Sequence, residues 1–224
     1  MGFKERSFTQ PIYIEESIEA KKAIIISCEG RVTEFEYFNG IKNNLSSFID
    51  VVLEIHVIPK YSNASEPKDI VKNLEEYITN TYDYKNGHDE CWLVLDREKV
   101  PERKTNILAI VSTCKSKNYN IAITNPTFEF WLLLHLENIE QYDKEVLFKN
   151  DNVNTKRKFI DKELSNRLLG YNKRKGCFPT KIITKENIQR ALEQEKLFEN
   201  EFEKILDKLG SNVGKLINKI VQFD

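Results

Sequence analysis

The hydrophobic pattern becomes regular at Ala23-Ile24-Ile25-Ile26-Ser27, an uninterrupted apolar run rich in Ile that predicts a strand buried on both faces. The run breaks at Cys28-Glu29-Gly30-Arg31. Thr33 and Glu36 then have the spacing of a capping box, and Phe38, Ile41, Leu45 and Phe48 follow at helical intervals. The unit of strand, turn and helix recurs. Residues 51–58 predict a second strand, and a helix from about Glu66 places Ile70, Val71, Leu74, Tyr77 and Ile78 on one face. Cys91-Trp92-Leu93-Val94-Leu95 predicts a third strand, and Pro101 opens a helix carrying Ile107, Leu108, Ile110, Val111 and Cys114. Asn120-Ile121-Ala122-Ile123-Thr124 predicts a fourth strand. Such alternation indicates a parallel sheet, so the expected class is α/β with helices on both faces.

Asn125-Pro126 leads into a nearly all-apolar segment, residues 128–136, predicted as a helix buried on most sides. After about residue 138 the alternation stops. Residues 151–185 hold ten basic side chains (Lys156, Arg157, Lys158, Lys162, Arg167, Lys173, Arg174, Lys175, Lys181, Lys185) against three acids, Asp151, Asp161 and Glu163. Beyond them Ile188, Ala191, Leu192, Phe198, Phe202, Ile205 and Leu209 predict one amphipathic helix ended by Gly210, and Val213, Leu216, Ile217 and Ile220 predict another. The expected organisation is an N-terminal arm over 1–20 with a short strand at Pro11-Ile12-Tyr13-Ile14, and an α/β core over 21–140. A basic insertion and C-terminal helices over 141–224 pack back on that core.

Charge changes this picture only locally. Lys and Arg total 34 and Asp and Glu 35, so the net charge of -1 supplies no global attraction to nucleic acid or membrane, and the basic segment is the one candidate for a polyanion. Residues 1–20 lack the apolar core of a signal peptide, and no apolar run approaches the ~20 residues of a membrane span, so a cytoplasmic protein without membrane contact is expected. Cys28, Cys91, Cys114 and Cys177 are too widely spaced for zinc, which suits reduced thiols.

Candidate chemistry follows from chain direction. Ligands gather at the carboxyl ends of parallel strands, and Glu29 lies just past the first strand while Asp96 and Glu98 lie just past the third. Converging carboxylates repel unless a cation neutralises them, and an all-oxygen donor set favours Mg²⁺ or Mn²⁺. Asp-x-Glu on an extended turn points two carboxylates the same way. The alternative is a solvated turn and an acid that merely sits near a helix N-terminus. Glu129, in the first turn after the fourth strand, binds metal, orients Arg31, or simply complements the helix dipole. Arg31 and Arg97 flank the acids as phosphate contacts or plain ion-pair partners. Lys156, Arg157, Lys158, Lys173, Arg174 and Lys175 suit a nucleic-acid backbone. His135 falls inside the apolar helix and reads as a core histidine. Gly210-Ser211-Asn212-Val213-Gly214-Lys215 has one residue too few for a phosphate loop and follows a helix.

The strand-end motifs Ile26-Ser27-Cys28-Glu29-Gly30 and Leu93-Val94-Leu95-Asp96-Arg97-Glu98 resemble a Toprim domain, with Glu98 standing where that pattern has Asp. The run Asn125-Pro126-Thr127-Phe128-Glu129-Phe130-Trp131-Leu132-Leu133-Leu134-His135 is similar to the distinctive segment of the RloB-like family of prokaryotic defence proteins. That resemblance implies a Toprim-like core and a divalent-metal-dependent nuclease acting on DNA or RNA, with Glu29, Asp96 and Glu98 as metal ligands. It also implies a separate ATPase partner, and it leaves self-association open. The alternative under the same resemblance is a non-catalytic nucleic-acid sensor or ATPase-partner module.

Overall fold

The computed structural model describes residues 21–60, 65–136, 138–155 and 157–223. The expected arm with its strand at Pro11–Ile14, and Lys156, lie outside these residues. The four expected strands form at β1 (Lys22–Cys28), β2 (Leu53–Ile58), β3 (Glu90–Asp96) and β4 (Tyr119–Asn125). Between them run α1 (Thr33–Asn44), α2 (Pro67–Asn80) and α3 (Pro101–Ser116). Pro67 and Pro101 each open a helix, where the missing N–H removes no hydrogen bond. The Thr33/Glu36 capping box does not form. Val32 holds the cap position without a side-chain bond, and the Glu34 carboxylate instead turns back to the Gly30 N–H.

After β4 come α4 (Phe128–Leu133), α5 (Lys144–Lys149), the antiparallel pair β5 (Asn152–Asn154) and β6 (Arg157–Lys158), and α6 (Phe159–Arg167). The chain ends in α7 (Lys185–Glu195), α8 (Phe202–Ile205), β7 (Gly210–Ser211) and α9 (Val213–Ile220). The single helix expected over 188–209 is therefore broken. Phe198 packs edge-on against Phe130 at 5.0 Å, and Glu199 pairs with the backbone of Leu209 and Ser211, so tertiary contacts outweigh the helical periodicity. Gly210 permits this close approach, since a Cβ there would overlap the Glu199 carbonyl.

The sheet order is β2-β1-β3-β4-β7, parallel except for the antiparallel β4–β7 edge. It is a mixed α/β fold with a mainly parallel sheet flanked by helices. Each inner strand buries both faces. Ile24, Ile26, Trp92 and Val94 join Tyr37, Phe38, Trp131, Leu164 and Leu216 on one side. Ala23, Ile25, Leu93 and Leu95 join Ile70, Leu74, Ile107 and Ile205 on the other. β7 is only two residues long, and the Asn212 side chain extends its edge by accepting from Ile123 N at 2.6 Å and donating to Ile121 O at 3.1 Å. No helix among the described residues is long and apolar enough to cross a membrane.

Candidate functional site

Strand order places the acids. β1 and β3 are neighbours, with Cys28 opposite Val94, so Glu29 emerges beside Asp96 at the same sheet edge. Oε2 of Glu29 accepts the Asp96 N–H at 3.0 Å and pairs with Arg103, whose guanidinium also donates to Asp96 O at 3.0 Å and Ser65 O at 2.8 Å. From the end of β2, Lys60 donates to the Glu29 carbonyl at 2.6 Å. Asp96 Oδ1 accepts from Phe128 N at 2.7 Å, which locks the end of β3 to the start of α4.

Two further carboxylates close on this pair. Glu34, in the first turn of α1, accepts from Gly30 N at 3.1 Å, and a Cβ at residue 30 would overlap its carboxylate. Glu129, in the first turn of α4, is only 3% exposed and meets Lys173 at 2.6 Å and the Tyr171 hydroxyl at 3.2 Å. Burial and mutual repulsion dominate the electrostatics. Burial raises Glu29 to about 7 against the pull of Arg103, with Glu34 and Glu98 pushing it the same way. Asp96 is raised by burial and by Glu29, Glu34 and Glu129, and Glu34 by burial and Glu129. Burial works to raise Glu129 too, but Lys173 outweighs it and the carboxyl falls below its ordinary range.

Glu98 departs from the extended turn expected of Asp-x-Glu. Its backbone is left-handed, with φ 44°, a conformation that costs a residue with a side chain about 1–2 kcal/mol, and its N–H bonds to Pro126 O at 2.9 Å. Its side chain borders a cavity of about 210 Å³ whose other walls include Glu129, Arg157, Lys158, Lys173 and Arg174. Lys175 borders an adjoining hollow of about 370 Å³ that shares Arg157 and Arg174. The basic segment thus folds back against the acids through β6, α6 and the turn at 173–175.

Other candidates are placed elsewhere. Arg97 turns away to bind Leu206 O at 2.7 Å, tying the Asp96 loop to α8. Arg31 is exposed between Glu29 and Glu34. His135 is fully buried, hydrogen-bonded to Tyr37 Oη at 3.0 Å and to Trp131 O at 2.9 Å, and burial lowers it to about 4. A larger cleft, about 880 Å³, lies at the opposite sheet edge against Lys22, Trp92 and Tyr119, away from the acids.

Sequence reasoning did not single out Glu34, Arg103, Lys60 or Tyr171. Glu34 had a signal in hindsight, a second acid one helical turn beyond a Glu-Gly corner. Arg103 and Tyr171 had none, because their roles depend on which segments fold together.

A family model described as RloB-like protein matches residues 24–220. The chain belongs to the RloB-like family. The matched span runs from β1 to the last turn of α9, so the strand-end acids and the basic residues at 157–175 fall inside it. No curated protein and no solved structure matches the chain.

The donor chemistry of this site suits a hard divalent cation, since its groups are carboxylates, three of which burial, and after it their mutual repulsion, drives toward protonation. Among the described residues, however, no three His, Cys, Asp or Glu side chains are arranged to hold one ion. Arg103 pairs with Glu29 and Lys173 with Glu129.

Proposed function

We propose that the chain is a Mg²⁺- or Mn²⁺-dependent phosphodiesterase acting on DNA or RNA. The observation that carries this reading is the packing of Glu29, Glu34, Asp96 and Glu129 at the carboxyl ends of a parallel sheet, with Glu129 also lining a cavity whose walls include Arg157, Lys158 and Arg174. Glu29 and Asp96, with Glu98 beside them, would hold the cation. A divalent ion held by these residues would supply polarisation of a phosphate and a lowered pKa of bound water. The basic wall neutralises the flanking phosphates of a polymer. The resemblance to Toprim domains and membership of the RloB-like family support the same reading, and with it a cytoplasmic defence role beside a separate ATPase.

Purified protein with Mn²⁺ or Mg²⁺ should cleave a polynucleotide, and Glu29→Gln and Asp96→Asn should each abolish cleavage while the thermal melt stays cooperative. Unchanged cleavage in both variants overturns the assignment.

One observation favours a non-catalytic module instead: Arg103 and Lys173 engage Glu29 and Glu129, and no three acids among the described residues form a ligand set. Full biological activity of the Glu29→Gln/Asp96→Asn double variant would select that reading.

A further inference from the structure

Three hollows adjoin one another beside β5 and β6. The first, of about 190 Å³, is lined by Lys99, Lys149, Lys158 and Asn150. The central one, of about 210 Å³, shares Lys158 and Asn150 with it and adds Glu98, Glu129, Arg157 and Arg174. The third, of about 370 Å³, shares Arg157 and Arg174 with the central one and ends at Lys175. Shared walls make them one groove, which passes Glu98 and Glu129 at its middle. Lys99 and Lys149 lie outside the basic stretch of the sequence and join it only through the fold.

The walls of this groove are fixed. Successive residues of a strand point to opposite faces. On β6, Lys158 accordingly serves the first hollow and Arg157 the third, and both reach the central one. Asn150 ends α5 with a left-handed backbone, φ 44°, and its Oδ1 accepts Ile160 N at 2.9 Å, which ties the entry of β5 to the start of α6. At the third hollow, Asn172 and Cys177 exchange both backbone hydrogen bonds, at 2.9 and 3.0 Å, and Asn172 Oδ1 accepts Lys175 N at 3.2 Å. The turn carrying Arg174 and Lys175 is therefore held in place as well.

The lining says what the groove takes. Within it Lys173 pairs with Glu129 at 2.6 Å and Arg157 with Asp161 at 3.6 Å. Lys99, Lys149, Lys158, Arg174 and Lys175 are exposed and outnumber the remaining acids, Glu98 and Asp151, on a chain whose net charge is -1. Positive charge is thus concentrated along the groove. Asn152, Asn154, Asn172, Thr127 and Thr155 complete the walls. Together with Lys and Arg, amide and hydroxyl side chains are the usual partners of phosphate and sugar. The neighbouring aromatic rings are engaged within the protein: Lys99 Nζ lies 4.3 Å from the centroid of Phe148, Phe159 packs edge-on against Tyr142, and Tyr171 is buried with its hydroxyl on Glu129. Such a groove holds a backbone and leaves the bases outside it. Single-strand sites supply aromatic platforms for those bases, whereas a duplex stacks and pairs them itself.

We propose that this groove is a docking track for one backbone of a nucleic-acid duplex, with Lys99 and Lys149 at one end and Lys175 at the other. It deepens the polynucleotide reading of the site and rests on it, but it requires neither a bound ion nor cleavage.

The test measures binding by fluorescence anisotropy with EDTA present, using an end-labelled duplex, as DNA and as RNA, and its single strand at the same salt. At least one duplex should bind more tightly than its single strand by about tenfold, the scale of one base-stacking contact. Lys99→Ala/Lys149→Ala should weaken duplex binding and make the slope of log affinity against log salt shallower by about 1.8. Lys162→Ala/Lys181→Ala removes two exposed cations of the basic stretch that lie outside the groove, and should shift the slope by less than half as much. Single strands bound as tightly as both duplexes overturn the duplex assignment. Equal losses in the two double variants overturn the groove. No binding of any polymer at low salt overturns the groove and the polynucleotide reading together. Duplex binding with the expected variant pattern, but no cleavage on adding Mn²⁺ or Mg²⁺, upholds the groove and removes only the nuclease.

Discussion

Arg103 of α3 bridges two strand ends, pairing with the Glu29 carboxylate beyond β1 and donating through Nε to the Asp96 carbonyl at the end of β3. One buried guanidinium thus fixes the spacing of Glu29 and Asp96, two of the acids that the sequence singles out. Arg103→Met should destabilise the fold by about 3–5 kcal/mol, the range for stripping one partner from a buried ion pair. Urea unfolding at pH 8 measures it, and a loss under 1 kcal/mol would show that the pair is not part of the scaffold.

Glu34 adds a fourth carboxylate to an already repulsive cluster. Glu34→Gln keeps an acceptor for the Gly30 N–H but removes charge. It should raise ion-free stability at pH 8 by about 1 kcal/mol and weaken Mn²⁺ binding about tenfold. Opposite signs in the melt and the titration mark a group that serves an ion. Lower stability with unchanged binding would make Glu34 a purely structural residue.

The basic wall should act on polymers and not on the ion. Lys158→Ala/Arg174→Ala should weaken polynucleotide binding across all sequences and make the slope of log affinity against log salt shallower by about 1.4 for a single strand. Fluorescence anisotropy at several salt concentrations measures this, with Mn²⁺ affinity as the control. An unchanged salt slope places the polymer elsewhere.

Glu195 gives a pH signature outside the acidic centre. Burial raises its carboxyl from the ordinary 4.5 to about 7, against hydrogen bonds from Gly214 N and Ser211 and the charge of Lys215. A raised carboxyl binds its proton more tightly in the folded state, so its contribution to stability is full below about 4.5 and is lost as pH rises to about 7. Glu195→Gln should flatten the fall in melting temperature over that window. A wild-type slope retained in the variant assigns the titration to other groups.

The glycines at 210 and 214 show how motif and packing diverge. They hint at a phosphate loop, yet each marks a close approach: a Cβ would overlap the Glu199 carbonyl at 210 and the Glu195 carboxylate at 214. Local spacing cannot separate a loop that cradles phosphate from a backbone that must pass close to a neighbour.

The sequence by itself determined the four parallel strands, the helices between them and the sheet edge to which Glu29 and Asp96 belong. A strand buried on both faces is a local apolar run, and chain direction fixes its carboxyl end. It also carried the segment at 125–135 on which the resemblance to the RloB-like family rests. Only the tertiary structure decided that β1 and β3 are neighbours, that Glu34 and Glu129 close on the same point, and that Arg103 and Lys173 engage Glu29 and Glu129. Those relationships join residues 74 and 44 positions apart. Periodicity reports which face of an element is buried, whereas burial of charge depends on which elements meet.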